Sequence, residues 1–509
     1  MKRRLPVMVA LAALVAGGCG SSPDPKRPSD VVAVVSPQIS TVVDVSWSTS
    51  VPTTGYVEFG PTKDDLGTRT PIDAAATGNH AAILLGLTAD TPVYFRVVTS
   101  EGGADVAASD VQTIRTGVLP VGLPALTRTG DGFTGFVVVP VLGATSAVTI
   151  LNANGDIVWY RTDESGLDAY RVRLSLDGTS VLYNAAQISG EPSADSALVR
   201  VSLDGSQVTR IPIPFLAHDF VEMPDGTLGA IAFDDMTDAT GARVRGNKIV
   251  EVAPDGTQRT VWTSWDCFDP TTTPGDDPAQ GWTFTNALNY DPAADAYYVG
   301  MRNFSSIAKV DRATGTCAWV LGTYGATMKF AAGSARFLHE HQFEVVGDHI
   351  LVMDNDGAGG DVSRVLEYQL DFTAMQATQV WSYMANPPVY TFVLGQPIRL
   401  ADGGTFVNWS TAGQMERLDA SGTSMWKLLA IPYTCDRRST RAAVSPPKAW
   451  ARRPKTALTT SVTPGGAGGW GSNGTGTLLR FTIQQSQSPG AGACEDPGAA
   501  FGLNARSAY

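Results

Sequence analysis

A hairpin closed by tryptophan recurs through the middle of this 509-residue chain, and no other feature restricts its fold as strongly. Ile150 to Trp159 reads as a strand, a polar turn and a second strand ending in Trp. The same pattern returns from Val252 to Trp262, Val310 to Trp319, Tyr368 to Trp381 (a turn without Gly) and Leu418 to Trp426. A sixth copy, Val201 to Val208, lacks the Trp. In three copies Trp stands four residues after Gly155, Gly315 or Gly422, a spacing that fixes hairpin register. Successive copies lie about 50 residues apart, the length of a unit of about four strands. Between them come further turns at Asp177-Gly178, Asp225-Gly226, Ala294-Asp295, Gly347-Asp348 and Asp402-Gly403. Two hairpins per repeat make a propeller blade. Six copies therefore predict an all-β, six-bladed propeller over residues 121–434, whose innermost strands bring distant residues to one central channel. Unrelated hairpins in a large sandwich would not keep this spacing.

Composition agrees. The 53 Gly and 31 Pro suit short strands and tight turns, since both residues are costly inside helices. A net charge of −12 argues against a nucleic-acid partner, which would need a basic face. With five His in the chain, any histidine chemistry must draw on nearly all of them.

The ends read differently. Lys2, Arg3 and Arg4 precede an apolar run from Leu5 to Ala16 and then Gly17-Gly18-Cys19. This is the order of a secretory signal over 1–18, too short to span a bilayer, and Cys19 resembles the lipid-modified cysteine of bacterial lipoproteins. Residues 19–30 follow as a tether, so the expectation is an exported protein anchored to the cell envelope, on the periplasmic face of the outer membrane. Residues 31–117 alternate in short runs such as Val43–Ser48 and Val93–Val98, the pattern of a small β-sandwich. The stretch from Gly86 to Val97 resembles a fibronectin type III-like module. His80 falls there as a strand residue on a solvated face. Residues 435–509 are rich in Gly, Pro and Arg and read as a partly disordered tail, with strand alternation surviving from Thr477 to Ile483. Four cysteines besides Cys19 allow three pairings. Cys267 with Cys317 is preferred, because Cys435 and Cys494 both lie in the tail.

Three segments of the ring carry potential chemistry. They are Ala217-His218-Asp219-Phe220, placed before a strand starting near Met223; Phe284-Thr285-Asn286 with Arg302-Asn303-Phe304-Ser305; and His339-Glu340-His341, leading to Asp354-Asn355. The order of His-Asp, Asn-Ala-Leu-x-Tyr-Asp-Pro, Arg-Asn-x-Ser and a His before a strand ending Asp-Asn resembles the bacterial arylsulfate sulfotransferases. That resemblance implies a six-bladed propeller that moves a sulfuryl group from a phenolic sulfate donor to a phenol acceptor. The transfer uses no cofactor and does without phosphoadenosine phosphosulfate. It also implies His341 as the nucleophile that forms a sulfohistidine, Arg302 and His218 as partners of the sulfuryl oxygens, and Asn286 as the family's asparagine. The histidine that the family carries two residues before that asparagine is Phe284 here, and Phe has no proton to give. His339, two residues from His341 and on the same face of an extended segment, is the neighbour able to take that role.

The residue chemistry supports the same reading independently. Neutral imidazole is a competent nucleophile, and a fixed guanidinium suits the charge that spreads over a sulfuryl group in transfer. Two other readings stay open. The His339/His341 pair could hold a divalent ion, although no third ligand is evident. The ring could also be a non-catalytic surface propeller that binds a ligand or protein in its channel. Asp354 to Asp361 resembles a calcium loop only loosely and is better read as a propeller turn. His349 falls within a strand and carries no assigned chemistry.

Overall fold

The computed structural model describes residues 24–142, 146–188, 190–273, 281–357, 361–430, 456–461 and 477–485. The expected signal segment, Cys19, Cys435, Cys494 and most of the tail lie outside the described residues.

Six sheets stand in a ring and make the six-bladed propeller. Each of the six hairpins of the repeat forms two neighbouring strands toward the outside of one blade. Ala147–Asn152 pairs with Ile157–Thr162 in blade 1, Ala197–Ser202 with Val208–Pro212 in blade 2, and Arg243–Val252 with Gln258–Thr263 in blade 3. Ser306–Asp311 pairs with Cys317–Gly322 in blade 4, Arg364–Asp371 with Gln376–Tyr383 in blade 5, and Gln414–Leu418 with Ser424–Ala430 in blade 6. The turns close on left-handed residues, a conformation that glycine adopts without a Cβ clash. Gly155, Gly205, Gly256, Gly315 and Gly422 serve in five blades, and Met375, with φ 50°, serves in blade 5, where the turn has no glycine. Trp159 and Trp426 are fully buried, and each indole N–H donates to the outer turn of the next blade, at Leu203 and Ala153 respectively, over 2.9 Å. The tryptophans therefore staple one blade to the next.

The second series of turns joins inner to second strands: Asp168–Leu174 to Ser180–Ala186, Leu216–Glu222 to Leu228–Thr237, Thr285–Asp291 to Ala296–Met301, Phe343–Val346 to His349–Asp354, and Gln396–Arg399 to Thr405–Asn408. Blade 1 has no such hairpin of its own. Inside Gly135–Leu142 its sheet is continued by Thr477–Gln485, which runs parallel to it, and then by Thr456–Ser461 as the innermost strand. The surviving alternation in the tail is thus a strand of the ring. At the other end, Leu126–Gly130 pairs with Ser424–Ala430, so the first propeller strand closes the ring on blade 6.

The N-terminal strands form one hydrogen-bonded network of seven. Its spine is the 18-residue strand Val43–Gly60, which pairs first with Ser29–Val35 and Asp73–Leu84 and then with Pro92–Glu101. Ile39 and Val42 are buried in the core shared by blades 1, 2 and 6. Thr41 Oγ1 donates to the Val158 carbonyl over 2.9 Å, and Ser36 Oγ to that of Asp204 over 3.0 Å. His80 departs from the sequence expectation. It is 5% exposed, stacks on Trp47 and lies 3.1 Å from an Asp73 oxygen, because register sets it directly opposite the buried Trp47 on the inward face of the sheet. Cys267 and Cys317 form a disulfide, as preferred from sequence, and tie the end of blade 3 to the outer strand of blade 4.

Candidate active site

The site forms where blades 3, 4 and 5 meet at the channel, and the loop 336–341 is its central part. Asp354 holds this loop. One carboxylate oxygen accepts the Leu338 N–H over 2.9 Å, and the other accepts Arg364 over 2.7 Å. His339 follows with φ 50° and its N–H on Ser305 Oγ of blade 4. This left-handed residue breaks the extended alternation expected for His339 and His341. The two rings consequently take different partners: His339 Nδ1 lies 2.5 Å from Asp356, and His341 Nδ1 lies 2.8 Å from Asn355 Oδ1. Among the described residues no group of three or more His, Cys, Asp or Glu is arranged to hold a metal ion.

His341 is buried, and its tautomer can be worked out from its neighbours. Asn355 Nδ2 donates to the carbonyls of Thr391 and Leu394 over 2.7 and 2.9 Å, which fixes the amide with Oδ1 toward the ring. Oδ1 only accepts, so His341 Nδ1 carries the proton and Nε2 presents a lone pair. Burial, with the nearby Arg302 charge second, pushes this imidazole well below its ordinary range and keeps it neutral. Sequence reasoning had noted Asn355 only as the end of a strand. Its role depends on a contact across 14 positions, which spacing alone does not reveal.

His218 belongs to the inner strand Leu216–Glu222 and does not precede a strand as expected. Its Nδ1 is buried with no hydrogen-bond partner among the described residues. Burial, assisted by Arg302 and opposed by Asp219, lowers its pKa to about 4. Arg302 opens the short 3-10 turn Arg302–Phe304, with Nη1 donating to Asn303 Oδ1 over 3.1 Å. Phe284 sits between these two groups. Its ring centroid is 4.7 Å from that of His218 and 5.8 Å from the Arg302 guanidinium carbon. Asn286 is also brought in, but its amide donates to the Glu340 carbonyl over 2.8 Å, so it braces the loop that carries His341.

Below these residues lies a charged hub that sequence reasoning missed. Asp219 accepts Arg171 Nε at 2.7 Å, Arg173 at 3.1 Å, Gln342 at 3.1 Å and the Leu288 N–H at 2.8 Å. Arg171 also donates to Gln342 over 2.8 Å and to Gln396 over 3.2 Å. Five blades are thereby joined across the channel. Burial would raise the Asp219 carboxyl, but the two arginines outweigh it and hold it below its ordinary range. Two guanidiniums against one carboxylate leave one positive charge in excess, a favourable background for an anionic group above. No sequence motif marks Arg171, Gln342 or Gln396, because each comes from a different blade.

What converges is a neutral imidazole with an unprotonated nitrogen, a second neutral imidazole, a guanidinium and an aromatic wall. Among solved structures the chain is similar in shape to a protein of unknown function from Bacteroides caccae, at 15% identity, TM-score 0.34, covering 61% of this chain and 94% of that one. It is also similar to a streptogramin B lyase at 11% identity, TM-score 0.35, covering 60% and 97%. A catalytically inactive variant of virginiamycin B lyase from Staphylococcus aureus matches at 12%, TM-score 0.33, covering 61% and 89%. At these scores nothing further follows from them. No curated protein matches. The arylsulfotransferase (ASST) family model matches residues 134–428, which is most of the propeller and includes every candidate site residue. By that match the chain belongs to the arylsulfotransferase (ASST) family.

Proposed function

We propose that this protein transfers a sulfuryl group from an aryl sulfate ester to a phenolic acceptor, with His341 as the covalent carrier. The observation that carries this reading is the hydrogen bond of His341 Nδ1 to Asn355, which leaves Nε2 unprotonated. Nε2 attacks sulfur, the bond from sulfur to the donor's phenolic oxygen breaks, and a sulfohistidine forms. The acceptor phenol then bonds to the same sulfur as its proton passes to solvent, and the N–S electron pair returns to the imidazole. Arg302 opposes the negative charge on the equatorial oxygens, and a ring N–H of neutral His218 donates to one of them. Family membership supports the reaction class at a general level. We further propose that the chain is exported and lipid-anchored through Cys19, with a fibronectin-like module ahead of the propeller.

The test is to incubate pure protein with a chromogenic aryl sulfate and excess phenol. Transfer is expected, and His341→Asn should abolish it. Absence of phenolate release above protein-free controls overturns the reading in favour of a channel that only binds.

A further inference from the structure

Two buried oxygens near His341, Glu340 Oε2 and Asn286 Oδ1, have no hydrogen-bond donor among the described residues. Glu340 is 0% exposed and Asn286 3%, so bulk solvent does not reach them. Folded proteins leave few buried polar atoms unpaired, and two at one place call for a reason. The backbone brings both side chains to the same spot. Asn286 occupies a bulge: Thr285 lies opposite Met301 and Ala287 opposite Gly300, which leaves residue 286 with no partner across the ladder. Its Oδ1 sits over Gly300, where a Cβ would stand 3.3 Å from it. The next residue, Met301, gives its N–H to Glu340 Oε1 over 3.1 Å. The Asn286 amide donates to the Glu340 carbonyl over 2.8 Å, and turning it over would set Oδ1 against that carbonyl.

An ionised carboxylate fits this place badly. It only accepts, and the backbone N–H groups that face it, its own and that of Met301, are small compensation for a charge taken wholly out of water. A protonated carboxyl brings a donor of its own, and Asn286 Oδ1 is an acceptor in want of one. The charged groups around it are Arg302 of blade 4, which favours the ion, and Asp354 of blade 5, which opposes it, while His339 and His341 flank it in the chain. Burial outweighs Arg302 and raises this carboxyl well above its ordinary range.

We infer that Glu340 is a positioning residue that carries a proton on Oε2 and donates it to Asn286 Oδ1. The link closes a clasp: Asn286 holds the main chain of Glu340, the Glu340 side chain holds the Asn286 amide, and His341 is the next residue along. When Glu340 gives its proton to solvent at alkaline pH, a buried carboxylate faces the amide oxygen, the clasp opens and His341 shifts from its place against Asn355. The activity readout of this inference rests on the sulfuryl-transfer reading above, whereas the proton can be observed without it.

The experiment pairs infrared spectroscopy with single-turnover release of phenolate from a chromogenic aryl sulfate, followed from neutral to alkaline pH. A single turnover needs no acceptor, so ionisation of an acceptor phenol does not enter. At neutral pH the parent protein should show the carbonyl band of a buried protonated carboxyl, and Glu340→Gln should lack it. Gln can make both bonds, accepting at Oε1 and donating from Nε2. Release by the parent should fall about tenfold per pH unit above the midpoint at which the band disappears, while Glu340→Gln stays flat. Glu340→Leu should lose about 10²-fold at neutral pH, and Glu340→Gln should restore the rate to within about 3-fold of the parent. A parent without the band at neutral pH, an alkaline fall shared by Glu340→Gln, or a Gln variant as slow as Glu340→Leu overturns the role of Glu340 and leaves the transfer reading intact. No release by the parent overturns the transfer reading, and the infrared comparison still decides whether Glu340 holds the proton.

Discussion

His341 Nδ1 donates to Asn355 Oδ1 over 2.8 Å, and the amide that accepts it is itself held by two backbone carbonyls. His341 is therefore oriented by a side chain that is itself fixed by the backbone behind it. Asn355→Leu keeps the volume but removes the acceptor, freeing the ring to change tautomer or rotate. We expect a fall in kcat on the order of 10²–10⁴. Steady-state kinetics would measure it, with circular dichroism checking that the fold persists. An unchanged kcat would mean that the tautomer is fixed by some other contact.

Arg302 is expected to act mainly on the transition state, where charge on the sulfuryl oxygens is greatest. Arg302→Lys keeps the charge but loses the planar fork, and its flexible ammonium cannot hold two oxygens at once. A loss of roughly 10²-fold in kcat is expected, with a smaller change in KM. A change confined to KM would assign Arg302 to simple substrate binding.

The buried histidines make the fold sensitive to acid. Above pH 6.5 the unfolded chain's histidine is neutral, as is His218 in the fold, so stability is fully present there. As pH falls from 6.5 toward about 4, the unfolded form takes up a proton that folded His218 refuses, and stability is lost. The loss reaches up to about 3 kcal/mol from this residue. His341 shifts in the same direction and adds to it. Urea titrations at pH 7 and pH 4.5 should show the drop, and His218→Gln should shrink it. Equal drops in the two proteins would contradict this assignment.

The C-terminal strand Thr477–Gln485 covers the inner edge of Gly135–Leu142 in blade 1. Ending the chain after Ala430 would leave the inner edge of Gly135–Leu142 without its partner, a row of unpaired backbone groups facing the channel. The thermal midpoint is expected to fall by at least about 5 °C. An unchanged midpoint would show that the ring is complete without this strand.

The fold was legible because a propeller repeats a local pattern. The six hairpins, their turns and the burial of Trp159, Trp262 and Trp426 all follow from residues close in sequence. The site was legible only in part. His218, Arg302 and His341 could be placed by motif, but the contacts of Asn355, Gln342 and Gln396 cross loops or blades and leave no motif. His80 shows the same limit, since period-two alternation cannot say that register will set it opposite Trp47 on the interior face. The strand from the tail was seen as alternation, but its place beside Gly135–Leu142 requires a pairing across more than 300 residues.

The most direct test of the account is to trap the intermediate. The protein is mixed with an aryl sulfate without acceptor, digested at neutral pH, and the peptide carrying His341 is examined by mass spectrometry. The account predicts a sulfuryl adduct on His341 that disappears when phenol is added and never forms in His341→Asn. An adduct on another residue, or transfer that continues undiminished in His341→Asn, would contradict it.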